Sequence, residues 1–208
     1  MPEAGREITA TRIALLELKD EQRLVQEGYS LLDEKRILLA HEIRRQLARL
    51  DALRRECTAL ENDARARTLS AVSRHGLDEL SVYPPLSLAE DRLVVRSSRL
   101  LGLELLAVHV EISAPLTTRE QPGNPTPEAR CCAKAHRDWA LRAVELAACG
   151  VNLRRLTQDY VRTGRRAKAI ENVLMPEIES SLQMVDEQLE SIDQEEIARL
   201  HRPARGSP

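Results

Sequence analysis

Thr11 to Leu39 reads TRIALLELKDEQRLVQEGYSLLDEKRILL, and its apolar residues recur at alternating steps of three and four. Leu15, Leu18, Val25, Tyr29, Leu32 and Leu39 begin a stripe that Ile43, Leu50, Cys57, Leu60 and Ala64 continue. A period near 3.5 keeps one narrow face turned toward a partner helix over many turns, which is the seam of a coiled coil. From Thr11 to about Arg74 there is no proline and one glycine, Gly28, so nothing in the backbone stops the helix. Thr9 or Thr11 is suited to cap its start, and His75-Gly76 to close it.

Toward the other end the same spacing returns in Leu146, Cys149, Leu153, Leu156, Tyr160, Ala167, Ile170, Leu174, Ile178, Val185, Leu189 and Ile192. Two such stripes in one chain satisfy each other by folding back. The expected fold is therefore all-α: a long antiparallel two-helix coiled coil of residues 9–75 and 128–202. Each helix would hold roughly 65 residues, a rod of ~100 Å at about 1.5 Å per residue. Residues 76–127 form the middle section. Pro84-Pro85 blocks regular structure, and Pro115 to Pro127, with four prolines and one glycine, reads as a loop. Between them LVV and LLAVHVEI flank Gly102, the pattern of a short hairpin, although RLLGLELL also fits a helix.

Two residues interrupt the second helix. Gly164 is tolerated at a cost of about 1 kcal/mol. Pro176 removes an amide donor and crowds the carbonyl of Asn172, so a bend is expected there. With the turn centred near residue 103, facing positions sum to about 206. Gly28 would then make room for the bend at Pro176, and Cys57 would pack beside Cys149.

Composition agrees with a shaft. The 208 residues are 42% hydrophobic but only 2% aromatic, without phenylalanine. A globular core of this size leans on aromatics, whereas a two-helix seam fills with Leu, Ile, Val and Ala. Charged residues make up 31%, as suits helices that face water or partner proteins, and the net charge of -2 gives no bulk attraction to nucleic acid or acidic lipid. The four cysteines are too sparse for a disulfide scaffold. MPEAGREITA has no apolar run of a signal peptide, and no stretch of about 18 apolar residues could span a bilayer. A soluble intracellular protein is expected.

No catalytic, cofactor-binding or metal-binding residue is assigned. Neither GxxxxGK[ST] nor GxGxxG occurs. Cys132 and His136 share a helical face with Cys131 adjacent, but zinc wants four ligands and the other histidines are scattered. Arg44-Arg45, Arg54-Arg55 and Arg154-Arg155 are interleaved with acids and lack stacking aromatics, which favours a solvated or partner-facing surface over a nucleic-acid site. Trp139 reads as packing.

Two blocks carry a family resemblance. In Thr11 to Leu39 the matching residues are Thr11-Arg12, Leu15-Leu16, Gly28, Leu31-Leu32 and Lys35-Arg36. In RTGRRAKAIENVLMPEIESSLQMVDEQLESIDQEEIARLHR, Arg162 to Arg202, they are Arg165-Arg166, Ala169-Ile170-Glu171, Val173, Pro176, Ile178, Glu195-Glu196 and Arg199-Leu200. Together, in this order and at opposite ends, they resemble the D subunit of V-type and A-type rotary ATPases. The resemblance implies the central rotor shaft, a non-catalytic component whose paired terminal helices enter the hexamer of catalytic A and nucleotide-binding B subunits. It implies a middle portion toward the membrane, meeting the F subunit and the adaptor on the membrane ring, and a cytoplasmic place peripheral to the membrane. Arg12, Lys35, Arg36, Arg165, Arg166 and Glu171 are the partner-contact candidates. The competing reading is a coiled-coil scaffold or tether with no rotary partner.

Overall fold

The computed structural model describes Thr9 and residues 11–80, 92–111 and 126–201. The polar lead before Ile8, the break at Pro84-Pro85, the loop from Pro115 to Pro125 and the tail beyond His201 lie outside the described residues. The chain is mostly helical. Helix α1 spans Arg12–Leu80, strands β1 and β2 span Arg92–Leu100 and Leu103–Glu111, and helix α2 spans Pro127–Ala169. A π-helical turn, Ile170–Leu174, joins α2 to α3, Met175–Leu200. Two long helical stretches with a two-stranded antiparallel hairpin between them form the all-α arrangement that the periodicity implies.

Of the two candidate caps Thr11 is the one used, its Oγ1 accepting from the Ala14 amide at 3.0 Å. Gly76, with φ 71° and ψ 168°, leaves helical geometry for a region open in practice only to glycine, and α1 continues to Leu80. At the start of α2 the Thr126 hydroxyl accepts from the Ala129 amide at 3.4 Å, with Pro127 in the first helical position.

Contacts divide the chain into two compact units, Met1–Ile37 with Val161–Pro208, and Leu38–Tyr160. In the first unit the helices run antiparallel: Arg12 pairs with Asp193 at 3.5 Å, and a Cβ placed on Gly164 would lie 3.9 Å from Arg36 Nε. Leu18, Ala167, Ile178 and Val185 are buried. The seam on the second strand of this pair changes phase at the π-turn. Thr163 and Ile170 are seven apart, but Ile170 and Ile178 are eight apart, and so are Ala167 and Met175. Both tracks then resume in sevens, through Val185 and through Leu182 and Leu189. The extra residue is stored in the π-turn, where the Met175 amide donates to the Ile170 carbonyl five residues back. Pro176 explains the location. It has no amide to donate, and widening the preceding turn relieves its ring from the Asn172 carbonyl. The phase change also overturns part of the expected stripe, because Leu174 is 43% exposed. Ile192 keeps the phase of Ile178 and Val185 but is 45% exposed near the end of α3, where every described residue from Glu190 on is exposed. Gly28 departs from expectation as well: nothing lies within 4 Å of a Cβ placed there, so no close helix approach requires glycine.

In the second unit the seam joins the hairpin. Leu39, Leu105 and Leu156 form one buried cluster, with Ile43, Leu100, Leu101, Leu103 and Tyr160 packed around it. Leu50, Leu53 and Cys149 form a second, with Leu146 and Leu153. The strands pair without a bulge from Arg92↔Glu111 to Leu100↔Leu103. Leu101 and Gly102 between them have φ of 52° and 85°, the paired positive values of a type I′ hairpin turn. Leucine is a costly residue in that conformation. Its side chain packs against the Leu39–Leu105–Leu156 cluster, and that burial offsets the strain.

Cys57 and Cys149 do not face each other. The Cys149 thiol lies 3.6 Å from the Gln46 carbonyl oxygen and 3.5 Å from its Oε1. Gln46 precedes Cys57 by eleven positions, about 16 Å along the helix. The facing positions here, Gln46 with Cys149 and Glu56 with Arg142, sum to less than 206, because the hairpin and its turn are not the midpoint of the seam.

Candidate interaction surface

The six partner-contact candidates belong to the first unit. Arg12 is exposed and its pair with Asp193 is solvated on both sides, so it holds little energy. Arg36 Nη1 reaches Asp33 Oδ1 at 3.2 Å within α1, and Lys35 and Arg36 are both half-buried and both have other interaction partners. Arg165 and Arg166 are exposed near the end of α2. Glu171 is exposed in the π-turn. Neither Arg165, Arg166 nor Glu171 has an ion pair among the described residues.

Sequence periodicity missed the apolar residues outside the seam. Of the eighteen exposed large hydrophobic side chains among the described residues, twelve belong to this unit, including Ile13, Leu16, Leu24 and Leu31 on α1 and Met184 and Ile197 on α3. Leu24 and Leu31 are 69% and 66% exposed, seven residues apart on a face distinct from the buried seam. Single exposed aliphatics are ordinary on a solvated helix; their number on this unit makes it the candidate interaction surface. The signal was present in the sequence as leucines out of phase with the seam.

The second unit holds the polar clusters. Thr68 Oγ1 donates to the Ala64 carbonyl at 2.8 Å, which uses its one proton. It therefore accepts from His136 Nε2–H at 2.9 Å and from the Cys132 thiol at 3.5 Å. Trp139 lies edge-on to the His136 ring at 6.3 Å. Cys132 and His136 thus converge on a threonine hydroxyl that ties α1 to α2. Among the described residues no group of three or more His, Cys, Asp or Glu side chains is placed to hold a metal ion. Buried Glu42 accepts from Gln46 Nε2 at 2.8 Å and from Arg45 at 2.9 Å. Burial pushes the Cys57 and Cys149 thiols above their ordinary 9.0, with Arg142 and Arg49 respectively opposing the shift. Both thiols are held protonated and poorly nucleophilic at neutral pH.

The hairpin docks through backbone. The Leu106 amide donates to Asn152 Oδ1 and Asn152 Nδ2 donates to the Leu106 carbonyl, each at 2.7 Å. Arg155 Nη1 donates to the Glu104 carbonyl at 2.7 Å. Among the described residues, no helix is long and apolar enough to cross a membrane.

Comparison with known proteins places the chain in a family. The family model of the ATP synthase D subunit matches residues 14–203. The chain is 25% identical to the D subunit of an A-type ATP synthase from Pyrococcus abyssi over 97% of its own length and 95% of the relative's. It is 29% identical to the D subunit of a V-type ATP synthase from Anaeromyxobacter dehalogenans, over 92% and 93%. The corresponding V-type protein of Thermotoga neapolitana is 23% identical over 94% and 96%. With the match running through both helical stretches and the hairpin between them, the chain belongs to the family of ATP synthase D subunits.

Proposed function

We propose that the chain is the central-stalk component of a V/A-type rotary ATPase, a non-catalytic shaft that couples nucleotide turnover in the A/B hexamer to proton or sodium transport through the membrane ring. In this reading residues 9–75 and 128–202 are the shaft. The section 76–127 lies toward the membrane, with the F subunit and the ring adaptor, and the protein is cytoplasmic and peripheral.

The observation that carries the reading is the aliphatic surface of the unit formed by the two chain ends. A free two-helix pair gains nothing from twelve exposed large hydrophobics, whereas a shaft enclosed by a ring of subunits would bury them. Arg12, Lys35, Arg36, Arg165, Arg166 and Glu171 would add polar contacts around that surface.

The shaft need not bind nucleotide to act. Its two helices differ in sequence and one carries a π-turn, so three catalytic sites around it would face three different surfaces. Moving a site from 1:99 to 99:1 in favour of the closed state takes about 5.5 kcal/mol of differential contact. Many small contacts along the helices can supply that sum.

The test is reconstitution. Purified alone, the chain should neither hydrolyse ATP nor bind it tightly; added to the A/B hexamer, it should join as a single copy and change turnover. Hydrolysis by the isolated chain that a point mutation abolishes would overturn the reading. So would failure to join the hexamer, which would favour a tether.

A further inference from the structure

The two edges of the hairpin are treated differently. Along β2 the outward peptide groups nearest the turn are occupied, those of Leu106 by Asn152 and the Glu104 carbonyl by Arg155, whereas Val108 and Val110 farther out have no such partner among the described residues. The closing pair Leu100↔Leu103 fixes the alternation, so on β1 the peptide groups of Leu93, Val95, Ser97 and Arg99 point outward, away from β2. None of these four has a hydrogen-bond partner on that side among the described residues.

β1 is guarded by charge alone. Its nine residues, RLVVRSSRL, contain no proline and the ladder has no bulge, two of the devices that blunt an edge against any partner, while its arginines repel only a basic one. Leu93 and Val95 are 54% and 52% exposed, and both lie on one face with Val108 and Val110 opposite them. The strand carries three arginines and no acid. Arg92 and Arg99 have Glu111 and Glu104 opposite on β2, but Arg96 has only Ala107. Pairing of β1 with β1 of a second copy, centred on that residue, would set Arg96 against Arg96, which is unfavourable. A strand with carboxylates at these positions would be attracted.

We propose that β1 is a docking edge at which an extended acidic segment of another component of the ATP synthase adds as a third strand. Main-chain bonds to Leu93, Val95, Ser97 and Arg99 hold it, apolar side chains cover Leu93 and Val95, and a carboxylate faces Arg96. The inference rests on the chain's acting within an assembled complex.

Hydrogen exchange in the reconstituted complex and in the isolated chain tests it. The amides of Leu93, Val95, Ser97 and Arg99 should exchange freely in the isolated chain and at least ~10-fold more slowly in the complex. Val95→Pro deletes only an outward donor, so it should leave the hairpin intact and abolish this protection at its neighbours. Arg96→Glu should weaken it. A complex that assembles with these amides still exchanging as in the isolated chain overturns the inference while leaving the shaft reading standing. Failure to assemble at all overturns both. Protection already present in a dimeric isolated chain would assign the edge to a second copy and overturn it as well.

Discussion

Asn152 holds Leu106 by both of its peptide groups, at 2.7 Å each way, and so fastens an edge strand to a helix with one side chain. The amide is matched in both donor and acceptor to the strand edge, and Asn152 itself is buried. Asn152→Ala should lower stability by about 1–3 kcal/mol in urea unfolding, because both partners lose a satisfied bond. Asn152→Asp keeps the acceptor for the Leu106 amide but sets a buried carboxylate oxygen against the Leu106 carbonyl, so it should cost at least as much as alanine. An alanine variant with wild-type stability and unchanged exchange at Leu106 would show that the hairpin is held elsewhere.

Gly28→Ala should stabilise the protein. The position is mid-helix, no atom stands within 4 Å of the added methyl, and alanine is favoured over glycine by about 1 kcal/mol inside a helix. Thermal melting checks the sign. A stabilised variant that no longer joins the A/B hexamer would identify Gly28 as a partner contact instead of a seam position.

The helices and their antiparallel pairing were legible because heptad spacing is a long, redundant signal that survives local errors. Register was not. It hung on one assumed turn centre, and Cys57 and Cys149 were set opposite each other on that assumption. The hairpin was ambiguous because Leu100 to Leu106 is apolar enough for either structure; the positive φ of Leu101 and Gly102 decides it. The storage of an extra residue at Ile170–Leu174 could have been read from the eight-residue steps Ile170 to Ile178 and Ala167 to Met175. Proline alone marked only a bend. Contact candidates such as Arg165 and Glu171 came from resemblance, whereas the exposed leucines of α1 came into view only with burial.

Pro176→Ala alone should retain the π-turn, since the extra residue still has to be accommodated to keep Ile178 and Val185 buried. Deleting Val173 together with Pro176→Ala should give uninterrupted heptads and a Tm equal to or above wild type. Deleting Glu187 instead should throw Leu189 out of phase and lower it. Equal losses from both deletions would mean that the seam does not depend on this phase.

The cysteines should behave as buried hydrophobes. Mild oxidation should give no Cys57–Cys149 link, because the two lie about 16 Å apart along the seam against a Cα limit of ~7 Å. Exposed Cys131 should be alkylated first. Both buried thiols have folded values raised above the unfolded one, so the protonated forms favour the native state. That stabilisation is complete below the unfolded thiol value and is lost as pH rises through the folded values. Urea midpoints should therefore fall above about pH 9, and less so in Cys57→Ala/Cys149→Ala. An equal fall in that variant would assign the alkaline loss to other groups.

Rotation is the most direct measurement of the central proposal. With the A/B hexamer fixed to a surface and a probe attached to the middle section of this chain, ATP should drive stepwise, one-directional turning of the probe. Continued ATP hydrolysis by the same complexes with the probe stationary and firmly attached would contradict the role of a shaft.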